Sequence, residues 1–503
     1  MKKLCKLVCL VAVLMMAFVI TVSADSGGFI FHESDGKVYI EGYDGTVPEN
    51  LVIPSTIDGK PVVGISDISY NMLENVKTLT IPDSVVSVTG WLWYEDWEVL
   101  ETVNIGSGFV GDLGGVFGSA MKLKAINISA NNPAYASEDG VVYTKDFRKM
   151  ATYPQGKTAW TTVPATVEDL SCLESLMAVN IQIAAGSPYF YTVNGITYTI
   201  DGKTIVNCSP DKSGTLTIAN TVTGFWESSF AGCDSLTRVV VPSTVDRIVY
   251  NQFANCGSLK EIVIPASVQT IEAAAFFNCE ALEKVEITDA DVWCTTEFYD
   301  VHANPLFYAG NLYVNGQLVT NVQLPDGSEY VGDYVFAGAS CLKTVTIPGS
   351  VKWIGAMAFY NCDGLTTLTV PGGVERIGYR AYDDCDGLKA VTIPGNVKDI
   401  YSSAFANCDS LTTLNLAEGV LEIAGNAFAD CVSLEEVTLP ASVEFVGWNC
   451  FSGCTALKKL TVKSDDVWFG TDVFQDCPLE SVTLASGKTR LDDYMFAESA
   501  MKG

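Results

Sequence analysis

A ruler runs through this chain. Cys362, Cys385, Cys408, Cys431, Cys454 and Cys477 follow one another at intervals of 23 residues, and Cys233, Cys256 and Cys279 do the same earlier. A fixed period constrains a fold more tightly than length does, because each unit is one supersecondary element that cannot bury its apolar side alone. The 503 residues, enough for three average domains, are therefore read chiefly as one stacked array.

Aligned on the cysteines, the unit reads Leu342-x-x-Val345-x-Ile347-Pro348-x-x-Val351-x-x-Ile354-x-x-x-Ala358-Phe359-x-x-Cys362. Val345 and Ile347 are two apart and share one face of a strand, with Thr346 on the other. The wider spacing from Val351 through Ile354 to Ala358 predicts a turn followed by a short helical or 3₁₀ return. Prolines at one phase, among them Pro242, Pro265, Pro348, Pro371, Pro394 and Pro440, mark strand ends, since proline cannot donate to a ladder. The expected fold class is an α/β repeat solenoid of stacked parallel strands, with corresponding residues about 4.8 Å apart.

An aromatic column accompanies the cysteines: Phe230, Phe253, Phe276 and Tyr299, then Phe336, Phe359, Tyr382, Phe405, Phe428, Phe451, Phe474 and Phe496. Flanked by this column and a leucine column, the cysteines are expected to face the interior as small apolar residues whose weak S–H reaches a backbone carbonyl. Disulfides between adjacent coils are the alternative. Against them, nine ladder cysteines cannot all pair among themselves, and Ala339 and Ser499 occupy the same column.

The unit resembles the leucine-rich repeat of BspA-like surface proteins, which runs I-P-x-x-V-x-x-I-x-x-x-A-F-x-x-C-x-x-L. The segment 38–65, "VYIEGYDGTVPENLVIPSTIDGKPVVGI", looks like that family's opening, and the likeness extends over about residues 37–503. It implies a bacterial, non-enzymatic scaffold associated with attachment to host matrix proteins and to other cells.

Residues 1–24 read as a secretory signal peptide: Lys2, Lys3 and Lys6, an apolar run from Leu7 to Ile20, and a small-residue site at Val22-Ser23-Ala24. An N-terminal β cap over 25–50 and a solenoid over 51–503 follow. Hairpin insertions are expected near 131–160, 187–206 and 303–320, where "EDG" and "VNG" turns sit between aromatic residues. The run "YMFAESAMKG" at 494–503 stops where another strand is expected, the pattern of either a truncated gene product or a repeat block that continues into anchoring modules.

Candidate binding residues fall in two places. Around residue 93 the register is irregular: Trp93 suits the phenylalanine slot, while Trp91, Tyr94 and Trp97 are extra, marking either an interaction surface or a repacked repeat. The outward strand column Thr346, Thr369, Thr392, Asn415, Thr438 and Thr461 forms a small polar ladder that suits strand structure and can also receive a partner. The interior columns are represented by Phe359, Cys362, Cys385, Phe405, Cys408, Phe428, Cys431 and Cys454.

No catalytic constellation emerges. The two histidines, His32 and His302, lie far apart, and no G-x-S-x-G, H-E-x-x-H or phosphate loop is present. No cofactor or metal is implied; "DADVW" at 289–293 and "SDDVW" at 464–468 pair aspartates but lack the full calcium-loop pattern and read as acidic turns. A formal charge of −29 argues against a nucleic-acid partner, whose phosphates are held by Lys and Arg. The chain is thus expected to be exported to the surface or medium, without membrane insertion after signal cleavage. There it binds a protein on host or microbial surfaces; the alternative is a carbohydrate-binding or envelope structural module.

Overall fold

The computed structural model of the chain describes residues 27–66, 75–89, 97–113, 116–117, 120–485 and 495. The signal peptide, Trp91, Trp93, Tyr94, Phe496, Ser499 and almost all of the run 494–503 lie outside those residues. The chain divides into two compact units, Met1–Ile200 and Asp201–Gly503.

In the first unit an antiparallel pair, Phe29–Ser34 with Lys37–Tyr43, continues in parallel to Lys60–Ser66. Four short parallel strands follow as a second sheet: Asn50–Val52, Thr78–Ile81, Thr102–Ile105 and Ala125–Ile128. Leu51, Leu79, Val103 and Ile126 are buried in one column, and the alternating residues face outward, as a half-buried strand requires. Two hairpins, Tyr135–Glu138 with Val141–Thr144 and Phe190–Val193 with Ile196–Thr199, turn through Asp139-Gly140 and Asn194-Gly195. All four turn residues have positive φ, the conformation that a two-residue loop needs to match strand twist.

The second unit carries the regular coils. Parallel strands stack from Gly214–Thr217 through Leu236–Val240, Glu261–Ile264 and Lys284–Ile287, and the same position recurs in Thr367–Thr369, Ala390–Ile393 and Thr413–Leu416. Pairing is in register with the period, Thr369 with Thr392 and Thr392 with Asn415. Equivalent residues therefore meet their own copies.

The return path differs from the expected helix. Ile354 lies in a two-residue strand, Trp353–Ile354, and seven such strands form a second parallel ladder from Tyr330–Val331 to Trp468–Phe469. A single helical turn would leave its terminal N–H and C=O groups unpaired, whereas neighbouring coils of the same shape satisfy them across the stack. In this unit the described helical turns, Ala290–Trp293, Val301–Ala303 and Leu306–Ala309, all lie in an irregular stretch after Ile287.

A third edge, holding the Ala-Phe and Cys columns, is bonded from coil to coil without being a strand. Met357, Phe359 and Asn361 donate through their N–H groups to the carbonyls of Tyr379, Ala381 and Asp383, at 2.8, 2.8 and 2.9 Å. The chain makes this edge by placing the residue before each cysteine in left-handed conformation: Asn361, Asp384, Asn407, Asp430 and Asp476, with Gly453 at φ 73°. Asn, Asp and Gly adopt that region at least cost, so this column carries a backbone requirement.

Inside, the rings form a continuous pile. Phe336, Phe359, Tyr382, Phe405, Phe428, Phe451 and Phe474 stack with successive centroids 5.0 to 5.7 Å apart and planes within 12°. Phe230, Phe253 and Phe276 form an earlier pile. Tyr299 does not belong to it: it is exposed, and the irregular stretch instead buries Trp293, whose Nε1 donates to the Val335 carbonyl at 3.1 Å.

From Cys362 onward each ladder thiol donates to the carbonyl of the aromatic residue one coil earlier: Cys362 to Phe336, Cys385 to Phe359, Cys408 to Tyr382, Cys431 to Phe405, Cys454 to Phe428 and Cys477 to Phe451, all at 3.1–3.3 Å. The fourteen cysteines among the described residues are free. Burial pushes the thiols of Cys256, Cys362 and Cys385 well above the ordinary value and that of Cys279 up to about 12. These sulfurs are neutral donors in the core.

Candidate interaction surfaces

Two faces of the second unit are open to a partner. The first is the outward column of the long-strand ladder. Thr346, Thr369, Thr392 and Thr438 are exposed there and Thr461 is half-buried. Asn415 extends the row, its Nδ2 donating to the Thr392 hydroxyl at 3.4 Å. The face is therefore a flat strip of small hydroxyl and amide groups. It offers hydrogen bonds but little apolar area.

The second face is built differently. In each two-residue strand the second residue is buried and the first points out, as the period of two demands: Tyr330 before Val331, Trp353 before Ile354, Trp468 before Phe469. Tyr299, Tyr379, Tyr401 and Trp448, close by in the chain, are also exposed. Large amphipathic rings of this kind are what interfaces use as anchors. Between them run ion pairs joining adjacent coils, Lys352 to Glu375 at 3.7 Å and Arg376 to Asp399 at 3.2 Å. Near the later coils Phe445 stacks on Trp468 at 5.0 Å beside a hollow of about 320 Å³.

Sequence reading missed this aromatic face, because the span from Val351 to Ala358 was expected to be a helical return. Once Ile354 is recognised as a strand residue, alternation alone turns Trp353 outward. That signal was present as an aromatic immediately before the buried Val or Ile in Tyr330-Val331, Trp353-Ile354 and Phe445-Val446.

Trp97, expected on a candidate surface, is corrected by the structure. It is 1% exposed and packs against Phe117 with centroids 5.9 Å apart. Leu100 and Val103, buried beside it in sequence, place this stretch in the core of the first unit. Trp91 and Tyr94 fall outside the described residues.

The first of the acidic turns has structural work. The Asp289 carboxylate caps the turn Ala290–Trp293, accepting from the Asp291 and Val292 N–H groups at 2.9 and 3.2 Å. Among the described residues no three His, Cys, Asp or Glu side chains gather as a metal ion would need. Nδ1 of His302 is hydrogen-bonded to the Tyr308 hydroxyl, and that of His32 to Glu41. No helix among the described residues is long and apolar enough to cross a membrane.

With this geometry in hand, the comparisons are specific about the repeat. A family model described as BspA type leucine rich repeat region matches in 6 copies, over residues 197–300, 310–435 and 375–502. Those residues make up more than half of the chain. Among solved structures, a leucine-rich repeat protein from Bacteroides ovatus is 21% identical over 90% of this chain and 92% of its own, with TM-score 0.35. A leucine rich cell surface protein from Faecalibacterium prausnitzii is 18% identical over 88% and 95%, with TM-score 0.36. No match is found among curated proteins.

Proposed function

Since this chain belongs to the BspA-type leucine-rich repeat family, we propose that it is an exported, non-enzymatic scaffold that binds proteins on host or microbial surfaces. The observation that carries this reading is the second unit's architecture. Stacked coils put two strips on the surface, one of small polar groups and one bearing exposed aromatic rings, while the ladder thiols are buried. A surface assembled from repeats in this way suits an extended partner. Export is supported by the charge and hydropathy pattern of residues 1–24.

The test is surface plasmon resonance of the mature protein against matrix proteins, mucin and whole microbial cells. Saturable binding to at least one supports the scaffold, and uniform absence of binding removes it. N-terminal sequencing of protein recovered from the medium tests export, with cleavage expected after Ala24. The exposed Tyr and Trp residues also favour a second reading, carbohydrate binding, since rings of this kind stack on sugars. A glycan array blank at millimolar concentration rejects it.

A further inference from the structure

The second ladder is interrupted in the middle of this unit. Its first run ends at Glu297–Phe298 and its next begins at Tyr330–Val331, without pairing between them. A groove of about 470 Å³ lies at the break, with Phe298 and Val331 in its lining. Three exposed rings stand around it: Tyr299, Tyr330 and Trp353, at 59%, 62% and 48% exposure. Although Tyr330 and Trp353 are register partners, as Phe445 and Trp468 are, they do not share the stacked contact of the latter pair.

The groove also carries acids. Several carboxylates on the same ladder are paired with bases of the chain, Glu272 with Arg247, Glu375 with Lys352 and Asp399 with Arg376, while Glu422 has no such partner among the described residues. Glu297 and Asp333 line the groove, and no basic side chain of the described residues is within salt-bridge distance of either. One oxygen of Asp333 accepts from the Ala356 N–H at 2.7 Å, which fixes that carboxylate at the groove.

Elsewhere the fold twice completes this combination for itself. The Arg380 guanidinium lies 4.8 Å from the Tyr360 ring centroid and pairs with Asp383. The Lys284 ammonium lies 4.8 Å from that of Tyr313 and pairs with Glu286 at 2.9 Å. Ring plus carboxylate is thus the chain's own way of holding a cation. The groove has three rings and two carboxylates.

We propose that this groove receives an arginine or lysine side chain of a partner polypeptide, its cation set among Tyr299, Tyr330 and Trp353 and paired with Glu297. This rests on the scaffold reading and names the chemistry of its partner. A neutral sugar ring also stacks on aromatic faces, but it leaves Glu297 without a countercharge in a protein of formal charge −29. A basic segment satisfies both, and the chain's long-range field draws it in.

The test is titration calorimetry of the mature protein with nona-arginine at physiological salt. Nona-citrulline serves as the neutral isostere and cellohexaose as the neutral glycan. Binding of the arginine peptide alone is expected, with Glu297→Gln and Tyr330→Ala each weakening it by about tenfold. Tyr330→Phe restores affinity because the ring, not the hydroxyl, makes the contact, and thermal melts of these exposed-site variants match wild type. Glu280→Gln, an exposed carboxylate outside the groove lining, leaves affinity unchanged. The inference is overturned if Glu280→Gln weakens binding as much as Glu297→Gln, if neither groove variant matters, or if cellohexaose binds in place of the peptide. A protein ligand captured equally by wild type and Glu297→Gln sinks the groove assignment and leaves the scaffold standing. Failure of wild type to bind any surface protein, with nona-arginine still bound through Glu297, sinks the scaffold instead.

Discussion

Removing one ring from the pile exposes how the coils hold together. Phe405 is fully buried between Tyr382 and Phe428, with centroids at 5.2 and 5.3 Å and planes within 4°. Phe405→Ala leaves a cavity in a site whose two walls are backbone-bonded to neighbouring coils, so collapse is resisted. Large-to-small replacement of a buried phenylalanine costs about 3–5 kcal/mol, and losing two stacked neighbours puts this site at the upper end, about 5 kcal/mol. Because each coil contacts chiefly its neighbours, the loss concentrates between residues 382 and 428. Hydrogen exchange read by mass spectrometry is the assay: amides there exchange about three to four orders of magnitude faster, while those near Val239 and Ile262 keep their protection. Asn415→Ala, on the exposed strip, changes stability by no more than about 0.5 kcal/mol. A change at Phe405 below about 1 kcal/mol, or one spread evenly over the unit, refutes the nearest-neighbour reasoning.

Other consequences follow from the same interior. The Tyr382 hydroxyl is buried in the pile with no hydrogen-bond partner, so Tyr382→Phe is expected to stabilise by about 1–3 kcal/mol, seen as a higher urea midpoint; a lower midpoint counts against the packing described. The thiols of Cys362 and Cys385 supply a pH dependence. Burial holds their folded pKa values above the unfolded one, so the stability they confer is complete below about pH 8.5 and is lost as pH rises toward the folded values, by about 1.4 kcal/mol per unit for each thiol. Cys385→Ala should flatten the alkaline fall of the urea midpoint by that amount, and an unchanged slope rejects the assignment. In native protein at pH 8, Ellman's reagent should reach the half-buried Cys341 and Cys172 before any ladder cysteine, and all of them only after denaturation; rapid reaction of the ladder thiols contradicts their place in the core.

Much of this interior was legible in the 23-residue period. Columns that must be apolar in every coil, such as Ile347, Phe359 and Cys362, declare burial because no compensating polar partner recurs with them. The Pro column announced where strands stop. The return path was not legible, since Val351, Ile354 and Ala358 are spaced as a helix would space them. The preference for a two-residue strand arises from pairing between coils and not from any one coil's sequence. The aromatic face was lost with it, for an exposed Trp353 requires Ile354 to be a strand residue. Trp97 illustrates the opposite limit: an aromatic cluster in an irregular register looks the same whether it faces solvent or fills a core, and Phe117, 20 residues further along, decides the matter. The groove depends on two chain segments, at Glu297 and Tyr330, that meet through an irregular insertion whose geometry no period encodes.

The coil stack itself is most directly tested by a distance. Spin labels at Thr346 and Thr461, five periods apart on the exposed column, should give a narrow distribution near five strand spacings, roughly 24 Å before allowance for the label arms, by double electron–electron resonance. A broad distribution, or one centred far beyond that length, means that equivalent residues do not lie over one another.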